Sequence, residues 1–375
     1  MKVLIKSVET RKELKRFIKF PNKLYKGNKY YIPSLLSDDL ITLNPKKNPA
    51  FDFCEAKFFM AFKGGKAVGR IAGIINYQVN NREKRERVRF GYVDFIDDNE
   101  VVDALFSAVE NWGKSKGMNQ INGPLGFSDM DPEGMLVEGF DKIGTMVAIY
   151  NHEYYPKQLE RLGFAKEADW VEYLITIPEQ VPERHNRVSE IVSKKFSLRT
   201  LNYTSRKKLA RDYGQKLFKL VNEAYDTLYG YSPLSERQIQ HYVKLYLPML
   251  KLNNLILVVD SNDDLVGMAV GMPSIAKALQ KSRGRLFPFG FIHLLKALKG
   301  KNNTVELLLM AVKPEYQNKG VSALLFSNII NSFNSNGYRY AESNPELEVN
   351  LKMQNQWQDI ENQKIKRRRA FIKNI

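Results

Sequence analysis

At 375 residues, 43% hydrophobic and 26% charged, the chain is too long for one ordinary core and too apolar for extensive disorder, so two globular domains are expected. Its formal net charge of +17 and pI near 9.6 favour an anionic partner, whether nucleic acid, a membrane surface or a phosphorylated small molecule. The single cysteine, Cys54, excludes an intrachain disulfide and a cysteine-based zinc cluster, and four scattered histidines add little metal capacity.

The first stretch, MKVLIKSVETRK, has too short an apolar run for a signal peptide. No window reaches the roughly 18 apolar residues of a transmembrane helix, so a soluble, cytoplasmic chain without a membrane span is expected. FMAFKGGKAVGRIAGI (59–74) reads as two strands joined by the turn Gly64-Gly65. RFGYVDFI (89–96) is a further strand. Asp97-Asp98-Asn99 offers a cap, and Val101, Val102, Leu105, Ala108, Val109 and Trp112 recur at helical spacing up to Gly117. Tyr150, His152, Tyr154 and Tyr155, with Asp129 to Glu133, are candidates for an acceptor pocket or for half-buried packing.

Two prolines and many polar residues in IPEQVPERHNRVSE (177–190) suggest a linker, which divides the chain into lobes at 1–178 and 191–375 with 179–190 between them. The second lobe repeats the first. LVVDSNDDLVGMAVGM (257–272) is again a hairpin whose second strand begins Val-Gly and carries alternate small residues. VELLLMAV (305–312) is a near-continuous apolar run, the pattern of a strand buried on both faces. Val321, Leu324, Leu325, Ile329, Ile330 and Phe333 then form a helical stripe, Gly337 ends it, and Tyr338 to Ala341 is the next strand.

The second copy holds about thirty extra residues at 273–302, helical at both ends around a Gly/Pro centre, that suit a lid or a packing element. Within it, RLFPFGFIHLLKALKGK (285–301) is the most membrane-like piece of the chain, to be read as a cover helix or an interfacial one. The tail Lys364-Ile365-Lys366-Arg367-Arg368-Arg369 reads as a phosphate clamp or as a sheet edge blunted by charge.

Between strand and stripe lies KPEYQNKGVS, 313–322. Pro314 has no N–H for a ladder and should end the strand. Residues 317–322 then open a helix, where amide N–H groups lack intrahelical partners and the macrodipole is positive. Gly320 permits close backbone approach and Lys319 adds charge, the ingredients of a pyrophosphate cradle; a plain helix start is the alternative. Neither a P-loop nor a dinucleotide fingerprint is present. The first copy has Asp97, Asp98 and Glu100 at the equivalent turn, which would repel an anion.

From about 255 to 360 the chain resembles the GNAT acyltransferase superfamily, whose Gln/Arg-x-x-Gly-x-Gly/Ala loop holds the pyrophosphate of acetyl-CoA; Gln317, Gly320 and Ser322 match it, Ser322 standing for the usual glycine or alanine. The resemblance implies an α/β (α+β) fold of two tandem GNAT-like lobes, each a mixed, mostly antiparallel sheet flanked by helices, the first one degenerate. It implies acetyl-CoA or another acyl-CoA as cosubstrate, no metal, and an amine acceptor, small molecule or peptide. Met310, Ala311 and Val312 would pair with the pantetheine arm, and Gln317, Asn318, Lys319, Gly320, Val321 and Ser322 would hold the pyrophosphate. Asn350, Met353 and Trp357 fall at the spacing of the later helix motif, with tryptophan in place of the tyrosine that protonates the thiolate.

Glu306 stands where lysine-acetylating members carry a general base, and burial in an apolar strand would raise its pKa toward a useful value; an ion pair with a nearby cation is the alternative. The expected activity is acyl-CoA-dependent N-acyl transfer by direct attack. A non-catalytic ligand-binding protein and a basic nucleic-acid-binding protein are the rival readings.

Overall fold

The computed structural model describes residues 2–300 and 302–375. The first part of the chain forms β1 (Leu4–Ser7), α1 (Arg11–Leu24), α2 (Leu36–Thr42), β2 (Cys54–Lys63), β3 (Lys66–Asn76), α3 (Tyr77–Glu83), β4 (Arg87–Phe95), α4 (Asn99–Ser115), β5 (Gln120–Gly123), β6 (Met135–Glu138), α5 (Tyr154–Arg161) and β7 (Ala165–Thr176). The second part forms α6 (Glu183–Lys195), β8 (Arg199–Leu201), α7 (Arg206–Tyr225), α8 (Glu236–Tyr246), β9 (Leu255–Val259), β10 (Leu265–Pro273), α9 (Ala276–Ser282), α10 (Gly290–Lys299), β11 (Thr304–Val312), α11 (Val321–Ser335), β12 (Tyr340–Glu342), β13 (Glu346–Leu347), α12 (Leu351–Gln354) and β14 (Asn362–Asn374).

Two compact units result, and no single cut in the chain makes them. Residues 1–171, 276–294 and 365–375 form the first, and 172–275 with 295–364 the second. In the first unit the strands run β1-β2-β3-β4-β5-β14, and in the second β12-β11-β10-β9-β8, with β7 contributing residues to each. Neighbours are antiparallel except β4 with β5 and β11 with β12.

The internal repeat is real at the level of packing. In β3, a Cβ on Gly73 would lie 2.7 Å from the Trp112 ring of α4; in β10, a Cβ on Gly271 would lie 2.6 Å from the Phe333 ring of α11. Both glycines stand four residues after the Gly of the Val-Gly pair, so the small residues noted in the sequence make room for one aromatic from each lobe's main helix. The next strand of each lobe also carries one extra residue in its ladder, between Gly91 and Asp94 in β4 and at Leu308 in β11.

Two sequence expectations fail here for identifiable reasons. The stretch 179–190 is largely helical, because α6 begins at Glu183 behind Pro182, which sits at the N-cap where a missing N–H costs nothing. Its apolar face is sparse but spaced for a helix, with Val192 buried and Val188 half-buried against the second unit's core. The basic tail is neither an edge nor a free clamp: β14 lies inside its sheet, pairing with β5 and β6. Lys366 and Arg368 are buried. Arg367 and Arg369 converge on Asp169, whose side chain is 0% exposed.

Candidate functional site

The site in the second unit is built along β11. Thr304, Val305 and Glu306 pair in parallel with Tyr340, Ala341 and Glu342 of β12, and the pairing stops there. The other edge of β11 stays paired to β10 as far as Val312. Beyond Glu306, β11 therefore has an outer edge that no strand covers among the described residues. This corrects the expectation of a strand buried on both faces: Leu307, Leu308, Leu309 and Met310 are all half-buried. Two side chains that no motif singles out reach this edge. Asn344 Nδ2 donates to the Leu308 carbonyl at 3.0 Å, and the Tyr225 hydroxyl donates to the Met310 carbonyl at 2.9 Å. Each carbonyl retains a lone pair for a second donor.

The open edge, Met310 to Val312 included, leads into the 313–322 loop. A short 3₁₀ turn, Pro314–Tyr316, ends the strand, and Gly320 precedes α11 at φ +81° with no side-chain cap. An uncapped start is tolerable because α11 buries Val321, Leu324, Leu325, Phe326, Ile329, Ile330 and Phe333. Each such side chain contributes about 1.5–3 kcal/mol, against about 1 kcal/mol for a cap. The Ala323 amide donates to the Gly320 carbonyl at 3.0 Å, and the amides of buried Val321 and half-buried Ser322 stand before it at the uncapped end.

Gly320 also has a packing role. A Cβ there would meet Val192 Cγ2 at 2.9 Å and Val188 Cγ1 at 3.0 Å, so the glycine admits α6 and adopts a left-handed φ. Gln317, Asn318 and Lys319 are exposed around it. Gln317 Nε2 donates to the Val312 carbonyl at 3.2 Å. The Lys319 ammonium sits over the Phe196 and Tyr316 rings at 5.4 and 5.5 Å, which holds the charge beside the loop.

Glu306 lies at the opposite end of the strand, roughly 20 Å from Val312 at the rise of an extended chain. It is 2% exposed, its Oε1 accepts from Ser274 Oγ at 2.6 Å, and its ladder partner on β12 is Glu342, also buried. Ladder partners share one face of a sheet, so two carboxyls occupy the same side here. The hydroxyl of Ser274 orients the carboxyl.

Asn350 and Trp357 both have structural work. Asn350 caps α12, its Oδ1 accepting from the Met353 amide at 3.3 Å. The Trp357 indole is 3% exposed, packs against Phe326 and donates Nε1–H to Glu346 at 3.0 Å. An indole so placed cannot protonate a thiolate. Burial pushes the Glu346 carboxyl from its ordinary 4.5 up to about 7, against the hydrogen bonds from Trp357 and Ser343. A raised carboxyl means that the unfolded chain ionises first, so stability falls as pH rises from 4.5 toward 7. Glu346→Gln keeps an acceptor for the indole and removes the charge. Its thermal midpoint, followed by circular dichroism, should match the wild type near pH 4.5 and exceed it by a few degrees at about pH 8.

The equivalent turn of the first unit is filled by its own residues. Asp98 caps α4 and pairs with Lys63 at 2.6 Å, Glu100 pairs with the same lysine at 3.0 Å, and Asp97 accepts from Gln158. The aromatic group nearby is mainly packing: Tyr155 stacks on Phe95 at 4.1 Å and its hydroxyl accepts from the Phe95 amide. Asp131 accepts from the Phe127 and Ser128 amides and holds its own loop. Among the described residues no group of three or more His, Cys, Asp or Glu side chains is arranged to hold a metal ion, and no helix is long and apolar enough to cross a membrane.

No protein-family model matches the chain. It is 29% identical over 381 residues to Protein YghO of Escherichia coli (strain K12), covering 99% of this chain and 95% of that protein. It is 30% identical over 314 residues to the bacterial ceramide synthase of Caulobacter vibrioides (strain NA1000 / CB15N), covering 83% of this chain and 80% of that one. The chain belongs to the family of that bacterial ceramide synthase. The architecture common to this chain and solved proteins is the tandem GNAT fold. A tandem GNAT protein from the clavulanic acid biosynthesis pathway matches with a TM-score of 0.55 at 11% identity, with 100% of this chain and 98% of that chain covered. In this ceramide-synthase-family chain the open edge of β11 and the start of α11 therefore belong to an N-acyltransferase fold.

Proposed function

We propose that this chain is an acyl-CoA-dependent N-acyltransferase whose second unit holds the acyl donor. The observation that carries the reading is the open edge of β11, which runs from the buried Glu306 to the uncapped start of α11. A diphosphate suits the first-turn amides of Val321 and Ser322 with Lys319 beside them. Amide groups of an extended pantetheine arm suit the free edge from Leu308 to Val312. The fold alone carries no substrate, but the Caulobacter relative is a ceramide synthase, and such an enzyme joins a fatty acyl group to a long-chain amine. We take the same classes, a fatty acyl-CoA and a sphingoid-type amine, as donor and acceptor here.

In this mechanism the acceptor arrives as an ammonium, and Glu306 removes its proton directly or through a water. The amine attacks the thioester carbonyl, N–H groups of the β11 edge stabilise the oxyanion, and the C–S bond breaks as the amide forms. The leaving thiolate takes up a proton, for which the Tyr225 phenol, already bonded to the Met310 carbonyl, is the group best positioned at that edge.

Titration calorimetry with octanoyl-CoA should give a Kd in the range of about 1 to 100 μM. Thiol release should follow when a sphingoid amine is added. No heat at concentrations above about 100 μM would sink the reading; binding without thiol release for any long-chain amine would leave a CoA-binding protein and not an enzyme. Lys319→Ala should weaken binding about three- to tenfold without changing the turnover rate at saturation, since it contributes one screened charge.

A further inference from the structure

The α9–α10 hairpin carries a surface that the acyl-transfer reading does not use. Phe287 is 78% exposed, Phe289 70%, Ile292 49%, Leu295 46% and Phe291 39%. These are five of the large apolar side chains that the molecule leaves in solvent, and all fall between residues 287 and 295, in one tip and one helix. Leu294 is buried and fastens α10 from below, so the exposed residues form its outer face. Phe287 and Phe291 meet with ring centroids 6.0 Å apart, which makes the tip one apolar patch rather than scattered singles.

The charge along this segment is one-sided. Lys277, Lys281, Arg283, Arg285, Lys296 and Lys299 are all exposed, and there is no Asp or Glu between Asp264 and Glu306. The hairpin base is held in place: Gln280 Nε2 donates to the carbonyls of Lys29 and Tyr31, and the Leu36 amide donates to the Gly284 carbonyl. An apolar tip of this size flanked along the chain by exposed cations has a complement in an anionic bilayer. Phenylalanine, isoleucine and leucine side chains enter the headgroup–acyl boundary while lysine and arginine remain among the phosphates.

We propose that the α9–α10 hairpin docks this protein onto an anionic membrane surface, with Phe287, Phe289 and Phe291 as the inserted residues and the flanking lysines and arginines as the electrostatic contact. The attachment is interfacial. It is independent of the proposed chemistry, although it would bring the protein to the phase in which a long-chain acceptor dissolves.

Flotation of the full chain with phosphatidylglycerol vesicles tests it. The wild type should float with these vesicles, float much less with phosphatidylcholine vesicles, and be released as salt is raised to about 1 M, where the screening length falls to about 3 Å. Phe287→Ser combined with Phe289→Ser should lower the bound fraction at least about tenfold, and Lys281→Glu combined with Arg285→Glu should do the same for phosphatidylglycerol alone. These side chains are exposed, so circular dichroism should be unchanged. Thiol release with a short-chain, water-soluble amine should also be unchanged, which separates loss of docking from loss of the acyl-transfer reading. A wild type that stays at the bottom of the gradient, or a phenylalanine variant that floats like it, overturns the proposal. So does a concentration-dependent dimer in sedimentation that the phenylalanine variant abolishes while vesicles bind neither protein, because the patch would then cover a second copy.

Discussion

Glu306→Gln is expected to slow acyl transfer by about 10²- to 10⁴-fold, the usual contribution of a positioned base, while leaving the Kd for octanoyl-CoA unchanged. The fold should survive, because a glutamine oxygen can accept the Ser274 hydroxyl bond that now goes to Oε1. The residual rate should climb with pH further than that of the wild type, since the variant depends on amine that has lost its proton in solution. Stopped-flow thiol release across pH, with calorimetry on the same preparations, measures both quantities. A variant with full turnover removes Glu306 from the mechanism and leaves it as a buried partner of Ser274. A variant that loses donor binding as well assigns Glu306 to the architecture of the strand instead of the reaction.

The parts of this molecule that were legible in the sequence are those governed by local pattern. Gly64-Gly65 marks the first hairpin turn, with φ values of 57° and 75°. The Val101-to-Trp112 and Val321-to-Phe333 stripes become α4 and α11. The loop after Pro314 was readable for the same reason, because a proline, a glycine and the start of a stripe fix a strand end and a helix start. What the sequence concealed depends on contacts between distant segments. The open edge of β11 arises because β12 is only three residues long, and an apolar run looks the same whether its neighbour stops early or continues.

Tyr225 and Asn344 meet backbone carbonyls 85 and 36 residues away, which no spacing rule can register. That Gly320 admits a helix was hidden for the same reason, because a left-handed glycine reads alike in sequence whatever it faces, and Val188 and Val192 lie more than a hundred residues away. A basic run is ordinarily a solvated face; Lys366 to Arg369 became an interior strand because a buried acid, Asp169, waits for it in β7.

That acid sets the second large effect. Asp169 accepts two bonds from Arg369, Nε to Oδ1 at 2.8 Å and Nη2 to Oδ2 at 3.0 Å, one from Arg367 at 3.1 Å, and an ion pair from Lys166 at 3.0 Å. Burial by itself would raise its pKa; the hydrogen bonds from Arg369, Lys166 and Arg367 outweigh it and hold the carboxyl at about 2, below the ordinary 3.8. The cluster therefore contributes its full stabilisation above pH 3.8 and loses it as pH falls toward 2.

Removing one partner of a buried ion cluster leaves uncompensated charge, so Asp169→Ala should cost about 3–5 kcal/mol in urea unfolding at neutral pH. Asp169→Asn should cost less, since the amide oxygen can still accept one arginine bond while its NH₂ faces a second donor. Both variants should also lose the acid-dependent component: the stability gap to the wild type should be constant at neutral pH and narrow as pH is lowered below 3.8. A neutral-pH cost under about 1 kcal/mol for Asp169→Ala would place these arginines among the weak surface pairs. The burial of the tail strand would then rest on its apolar residues, Ala370 and Phe371, which are 0% and 1% exposed.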